Sequence, residues 1–315
     1  MSKQCLYCYK ALEHDSQKDF HEHCSMSFFG TKNAPLLPYS IGEMAELAKN
    51  VVERSVAVPG VQPKLSLSII DKALQNEAGG RLTVVGTLGG NYIFKPPSDL
   101  YPEMPQNEHV TMRIAEAFGI RTVPSSLIRL KSGELSYITR RIDRTAKGEK
   151  IHMIDMFQAL EASDKYKSSM EKVGKGIGER SSNMLLDKLY FLELSLFSFV
   201  TGNNDMHLKN FSMILEDKKN WILSPAYDLL NVAIINPDDK EELALTLEGK
   251  KKKLKRENFE NLAKVLDLTE KQVEGVFKRF AKNKAVANEW ISNSFLSDDS
   301  KRKYTELLEE RYARI

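Results

Sequence analysis

The chain has 315 residues, which is enough for one two-lobed unit or for two smaller domains. A hydrophobic content of 42% and a charged content of 28% are typical of a soluble globular protein, and a net charge of +3 argues against a protein devoted to nucleic acid. The N-terminus lacks the apolar segment of a secretory signal, and no apolar run reaches the roughly eighteen residues of a membrane helix, so we expect a cytoplasmic protein with no membrane partner.

The first part of the chain predicts a small zinc-ribbon-like module at 1–30. Cys5-x-x-Cys8 and His21-x-x-Cys24 have the spacing of a structural zinc site, with His23 as an alternative ligand to His21. Such a site can fold a segment that is too short for a core of its own. The other interpretation is a reduced, partly buried cysteine cluster that binds no metal.

The elements that follow predict an α+β fold. A linker and a polar helix at 43–54 come first, and 31–50 is assigned to this connection. Predicted strands and helices then follow in the order strand 61–70, strand 82–85, strand 92–95, helix 107–119, two strands flanking 131–133 and ending at 138, helix 184–200, and helix 257–266. The helix at 184–200 is apolar nearly all round and is expected at the centre of a lobe. We therefore predict a small β-rich N-lobe at 51–145 and a mainly helical C-lobe at 146–315.

The loop after the apolar helix carries the most informative pattern. Asp205 and Asn210 are separated as the Asp and Asn of the protein-kinase catalytic loop are, although the Arg of that loop and its Asp-Phe-Gly are missing. Short strands predicted at 211–215 and 221–223 form a hairpin that returns Asp228 to Asn210. One carboxylate would then orient an attacking hydroxyl, while an amide and a second carboxylate hold magnesium. An ordinary turn is the alternative.

Two segments of the β-rich half predict contacts with phosphate. Gly60 precedes the first strand and would let backbone amides approach phosphate oxygens, with Lys64 adding positive charge. Lys95 ends an apolar strand and is followed by two prolines, and Glu108 on the next helix is its candidate partner. The alternatives are a glycine that serves only a turn, an exposed lysine, and a glutamate that serves only the helix dipole.

Together these motifs resemble the HipA family of bacterial serine/threonine kinase toxins. The resemblance runs from about residue 40 to the C-terminus and rests on Gly60-Val61-Gln62-Pro63-Lys64, Tyr92-Ile93-Phe94-Lys95-Pro96, Asn107-Glu108, Arg140-Arg141-Ile142-Asp143-Arg144, Asp205-x-His207-x-Lys209-Asn210 and Pro225-x-Tyr227-Asp228. It implies a two-lobed, protein-kinase-like fold. The chain is similar to the short HipT type, which lacks the N-terminal subdomain of full-length HipA.

The resemblance implies a role for each motif residue. Asp205 would orient the substrate hydroxyl and accept its proton, and Asn210 and Asp228 would bind Mg²⁺. ATP would be bound by Gly60, Val61, Gln62, Lys64, Lys95, Glu108, Arg141, Ile142, Asp143, His207 and Lys209. Within that set Ile142 and Asp143 would lie at the lobe hinge near adenine and ribose, and His207 and Lys209 on the phosphate side. His207 is equally interpreted as a hydrogen-bonding residue that fixes the loop.

The partners are likewise implied by the resemblance. The first is a protein substrate among translation factors, such as a tRNA-bound aminoacyl-tRNA synthetase. The second is a helix-turn-helix antitoxin, and any contact of this chain with DNA would be indirect, through that antitoxin only. A small HipS-like protein would supply the missing subdomain in a three-component system.

The sequence departs from the family at the autophosphorylation site. Members carry Ser or Thr three residues before the loop glycine, and here that position is Ala57, which has no hydroxyl. Our hypothesis is that Ser55 is at best a minor site. Peptide mapping after incubation with ATP tests it, and stoichiometric phosphate on Ser55 would refute it.

Three alternatives remain at this point. The basic run at 250–256 is typical of a solvated loop before a helix, but it could also contact RNA or an anionic partner. A small-molecule or lipid kinase would share the catalytic residues. A pseudokinase that only binds would not need Lys95, Asp205, Asn210 and Asp228 together.

Overall fold

The computed structural model describes residues 3–13, 16–44, 46–47, 64–70, 80–84, 90–98, 100–101, 103–145 and 147–315. Within them the fold is α+β, as predicted. The chain divides into two compact units. The first consists of Met1–His109, Val123–Glu149 and Asn293–Phe295, and the second of Val110–Thr122, Lys150–Ser292 and Leu296–Ile315.

The first unit is built on an antiparallel sheet, which has five strands in the described part of the chain. Its elements are α1 (Glu22–Phe29), β1 (Leu65–Ile70), β2 (Arg81–Val84), β3 (Tyr92–Lys95), β4 (Ser125–Arg129) and β5 (Leu135–Arg140), with the strands in the order β2-β1-β3-β5-β4. The register places Lys95, the last residue of β3, opposite Tyr137 of β5. The sheet therefore fixes the position of a lysine at the end of an interior strand.

Helix α2 (Met104–Ala117) follows β3 and begins before the predicted position 107. Pro105 lies in its first turn, where a missing backbone N–H costs nothing because that group would have no partner within the helix. Gly119, with φ +81°, ends the helix as predicted. Of the helix predicted at 43–54, residues 43, 44, 46 and 47 are helical and the rest fall outside the described residues, as does the start of the strand predicted at 61–70.

The N-terminal module packs directly on this sheet. The Leu127 amide donates to the Leu6 carbonyl at 3.3 Å, and the Arg140 Nε donates to the Phe28 carbonyl at 2.7 Å. Leu6 and Phe28 are fully buried, and the Phe28 ring lies 5.9 Å from the ring of Tyr92 on β3. The module and the sheet thus share one apolar core.

The second unit is mainly helical and also contains an antiparallel sheet, which in the described residues has three strands in the order β6-β7-β8. Its elements after α2 are β6 (Met153–Asp155), α3 (Met156–Ala159), α4 (Met170–Arg180), α5 (Met184–Val200), a 3₁₀ turn (Leu208–Asn210), β7 (Ser212–Glu216), β8 (Asn220–Leu223), α6 (Val232–Ile235), α7 (Arg256–Val265), α8 (Glu270–Asn293) and α9 (Asp298–Tyr312). The predicted hairpin is β7–β8, and β6 was not predicted.

Helix α5 has the predicted bounds and provides the centre of this unit. Phe191, Phe197 and Phe199 on it are fully buried. Its first turn differs from the expectation, because Met184, Leu185 and Leu186 are 45–54% exposed. Among the described residues, no helix combines the length and the apolar character that crossing a bilayer requires.

Candidate active site

Lys95 and Glu108 form a buried ion pair in the first unit. The Lys95 Nζ lies 2.6 Å from the Glu108 Oε1, and the two residues are only 4% and 2% exposed. The Nζ also lies 5.3 Å from the centre of the Tyr137 ring, consistent with the register of β3 and β5. The alternative of a solvent-exposed strand-end lysine is therefore excluded.

The segment after β5 holds a second charged cluster. Arg141 binds the Asp143 carboxylate through two bonds, Nε to Oδ1 at 2.9 Å and Nη2 to Oδ2 at 2.6 Å, and Arg144 donates to the same Oδ2 at 2.6 Å. Partial burial alone would raise the pKa of Asp143, but the two guanidinium groups outweigh it and hold that pKa below its ordinary value. Asp143 is thus an anion fixed close to Ile142, which is half-buried.

In the second unit, Gly202 sets the path from α5 into the predicted catalytic loop. Its φ of +71° is left-handed, and a Cβ at this position would lie 2.5 Å from the Leu307 Cδ2 and 2.9 Å from the Asn231 Oδ1. Both the conformation and the space require glycine. The loop consequently leaves a rigid helix at a fixed angle.

Asp205 and Asn210 are joined by the backbone of this loop. The Asn210 Nδ2 donates to the Asp205 carbonyl at 3.1 Å, and the His207 amide donates to the same carbonyl at 2.8 Å. Because the amide nitrogen is used in this way, the Asn210 Oδ1 is left as an oxygen donor, the ligand type that magnesium takes. The side chain is buried, so its orientation is constrained.

Tyr166 contacts this loop although nothing in the sequence pattern singled it out. Its hydroxyl donates to the Asp205 Oδ1 at 2.7 Å, and its ring lies edge-on to the His207 ring at 5.1 Å. Burial raises the pKa of Tyr166, and the Asp205 carboxylate raises it further, so the phenol stays protonated as the donor.

His207 is buried below that ring. Burial lowers its pKa, while the Asp205 and Asp228 carboxylates oppose the shift, and its Nδ1 has no hydrogen-bond partner among the described residues. Burial therefore favours the neutral form of this imidazole, against the effect of the two carboxylates.

Asp228 is brought towards the loop by the hairpin and by Tyr227. The Ser224 amide bonds the Ser212 carbonyl at the end of the hairpin, and the Tyr227 hydroxyl bonds both the Ser212 hydroxyl at 2.6 Å and the Lys209 carbonyl at 3.0 Å. Asp228 itself has a φ of +60°, a left-handed conformation that Asp tolerates better than most residues. These bonds tie Tyr227, which precedes Asp228, to Lys209, which precedes Asn210.

The other predicted site residues have varied positions. Lys209 is exposed, with its Nζ 4.8 Å from the centre of the Phe157 ring, and Lys64 is exposed as well. Gly60, Val61, Gln62, Ser55 and Ala57 lie outside the described residues. In the basic run, Lys250, Lys252 and Lys253 are exposed, while Lys251 pairs with Glu241 at 3.0 Å.

The four residues of the predicted zinc site come together in the first unit. The ligand atoms of Cys5, Cys8, His21 and Cys24 all lie within 4.8 Å of one another. The hydrogen bond with Cys8 lowers the pKa of the Cys5 thiol, although burial opposes this shift.

Comparison with known proteins identifies relatives of the larger part of the chain. The family model of the HipA-like C-terminal domain matches residues 56–290. A candidate kinase of Haemophilus influenzae is 29% identical over 212 residues, 63% of this chain and 59% of the relative. A candidate kinase of Sinorhizobium fredii is 34% identical over 247 residues, 73% of this chain and 58% of the relative.

A third relative and a solved structure come from Shewanella oneidensis. The serine/threonine-protein kinase toxin HipA is 26% identical over 213 residues, 61% of this chain and 47% of the relative. The chain thus spans about half to three-fifths of the length of these curated relatives. The structure of HipA with HipB and operator DNA matches with a TM-score of 0.67 at 20% identity, over 89% of this chain and 72% of that one, which shows a shared fold.

Proposed function

We propose that this chain, which belongs to the family of HipA-like C-terminal domains, is an ATP- and magnesium-dependent protein serine/threonine kinase. Three relatives carry the word kinase in their names, and one of them is a serine/threonine-protein kinase toxin. The proposal also stands on the chemistry of the described side chains.

The observation that carries the proposal is the buried Lys95–Glu108 pair. Removing two charges from water is costly, and apolar residues of the same size would be about as stable, so stability alone does not explain the pair. In protein kinases a strand lysine held by a helix glutamate contacts the nucleotide phosphates. Lys95 has the strand position, the helix partner and the burial that this role needs.

The loop residues would supply the remaining roles. The Asn210 Oδ1 and the Asp228 carboxylate would hold magnesium, which when bound neutralises charge on the triphosphate. Asp205 would accept the hydrogen bond of the substrate hydroxyl and orient it for attack. The Tyr166 hydroxyl on its Oδ1 supports this role, because it shows that this carboxylate accepts a hydroxyl donor in the present loop conformation.

A toxin of a toxin–antitoxin system is the biological role that we propose. It is supported by the name of one relative and by the matching structure, which contains HipA, HipB and operator DNA. The partners would be a helix-turn-helix antitoxin and a cytoplasmic protein substrate, with a translation factor such as an aminoacyl-tRNA synthetase as the first candidate. A small HipS-like subunit would complete a three-component form.

Labelled ATP and a bacterial lysate test the activity. Wild type should transfer phosphate to a protein band, and Asp205→Asn should reduce transfer by about 10²–10⁴-fold. Asp217→Asn is the matched control, because Asp217 is an exposed carboxylate in the turn between β7 and β8. Label found only in small molecules or lipids would favour a kinase of that class, and bound ATP without turnover would favour a pseudokinase.

Induced expression tests the biological role. Wild type should arrest growth, Asp205→Asn should not, and co-expression of the proposed helix-turn-helix antitoxin should restore growth. Harmless expression of a protein that is active in the lysate assay would contradict the toxin role while leaving the kinase proposal in place.

A further inference from the structure

We propose that the sulfurs of Cys5, Cys8 and Cys24 and the Nδ1 of His21 bind one structural zinc ion that holds the N-terminal module together. The first support is distance. Zinc–sulfur and zinc–nitrogen bonds of about 2.3 and 2.0 Å in a tetrahedron place a sulfur and a nitrogen about 3.5 Å apart. The His21 Nδ1 lies 3.5 Å from the Cys8 Sγ and 3.8 Å from the Cys24 Sγ.

The second support is the protonation of the His21 ring. Its Nε2 lies 3.0 Å from the Ala11 carbonyl oxygen. A carbonyl can only accept, so this nitrogen carries the proton, and in the neutral ring the Nδ1 has a bare lone pair. Metal-binding histidines are commonly fixed by such a bond from the second ring nitrogen. The ring is thus held in the tautomer that presents Nδ1 to the sulfurs.

The same geometry decides between the two histidines. His23 is exposed and stacks on the His21 ring at 5.1 Å, and its Nε2 approaches only one of the three sulfurs, that of Cys24, at 3.3 Å. His21 contacts two of them and belongs to the set whose ligand atoms lie within 4.8 Å of one another. His21 is therefore the fourth ligand.

Three sulfurs and one imidazole also indicate the kind of metal. Thiolates and imidazole select zinc over magnesium or calcium, and four protein ligands leave no open position for catalysis. Cys5, Cys8 and Cys24 form no disulfide with one another, and one disulfide could not use all three sulfurs. The site is structural.

The position of the cluster explains what the metal would stabilise. Tyr9 follows Cys8, has a left-handed φ of 62°, and bonds the His109 Nδ1 through its hydroxyl at 2.8 Å. His109 is next to Glu108 on α2. Zinc bound by the turn at Cys5–Cys8 would hold Tyr9 in place and so support the start of α2.

Metal analysis of the full-length chain tests the proposal. The protein should be expressed without a histidine tag and purified without chelator, and it should contain one zinc ion per chain. His21→Ala should lose most of the zinc, while His23→Ala, the matched control, should retain it. Cobalt added to metal-free protein should give the absorption bands of a tetrahedral site with thiolate ligands.

A second measurement avoids variants that fail to fold. Titration of the wild-type thiols with a mercurial reagent should release one zinc ion per chain, with a fall in Tm. Protein without zinc, or zinc lost in His23→Ala and kept in His21→Ala, would overturn the assignment. Because the readout is metal content, its outcome is independent of kinase activity.

Discussion

Substitution of Lys95 should reveal how much the Lys95–Glu108 ion pair contributes to the free energy of unfolding. The Nζ–Oε1 distance is 2.6 Å, and neither residue is more than 4% exposed. Lys95→Met removes the ammonium that neutralises the buried Glu108 carboxylate. Loss of one partner of a buried pair costs about 3–5 kcal/mol, which would be about a fifth or more of the stability of a typical domain.

The double variant Lys95→Met/Glu108→Leu separates stability from activity. It removes both charges, so the free energy of unfolding should return to within about 1–2 kcal/mol of wild type. Phosphate transfer should stay lost in both variants, because the proposed phosphate ligand is missing. Lys303→Met is the control, since Lys303 pairs with Asp299 at the same 2.6 Å but on an exposed helix face, and it should change nothing measurable.

Urea unfolding followed by circular dichroism gives these free energies, and the lysate assay gives the transfer rates. A Lys95→Met protein as stable as wild type, or a double variant no more stable than Lys95→Met, would contradict the predicted cost of leaving the Glu108 carboxylate unpaired. Full transfer by the double variant would instead refute the role of Lys95 at the nucleotide.

Three further variants test the loop. Gly202→Ala should destabilise the protein by about 1–3 kcal/mol, seen as a lower Tm, whereas Gly249→Ala, also left-handed but with nothing within 4 Å of a new Cβ, should cost less. Tyr166→Phe removes the hydroxyl from Asp205 and should raise phosphate transfer up to about tenfold by leaving that oxygen to the substrate; a fall in kcat would instead show that the hydroxyl positions Asp205. Since burial lowers the pKa of His207, the unfolded chain binds its proton first, and stability should fall as pH drops below about 6.5; His207→Gln should flatten that dependence in urea titrations at pH 7 and 5.

Strand β3 and helix α5 were predictable because local rules determine both. Strand β3 is apolar until Lys95, and two prolines then remove the backbone donors that would continue the ladder. Helix α5 keeps its apolar pattern up to Val200, and Gly202 then takes a conformation that other residues avoid. The bounds of the two elements follow from short-range sterics, and a single sequence contains that information.

Tyr166 could not be predicted in the same way. It reaches Asp205 because the segment before it docks on the loop, where the Leu208 amide bonds the Lys165 carbonyl at 3.1 Å. That contact joins residues 43 positions apart. It depends on how the segment before α4 packs against the loop after α5. No periodicity or turn rule contains such a contact. Tyr227 was partly predictable, because it lies next to the predicted ligand Asp228 in the motif Pro225-x-Tyr227-Asp228.

The charged residues within α5 show why an apolar pattern predicts burial but not the contacts that a helix makes. Asp187 is 1% exposed, and its Oδ2 accepts the Leu223 amide at 2.7 Å and the Ser181 hydroxyl at 2.6 Å. It thereby ties the end of β8 to the helix, upstream of Asp228. Further along, burial raises the pKa of Glu193 although its ion pair with Arg279 opposes the shift. Apolar side chains could exchange neighbours at little cost, whereas the buried Asp187 carboxylate requires its hydrogen-bond donors. This charge, rather than the phenylalanines, therefore selects how the hairpin meets the helix.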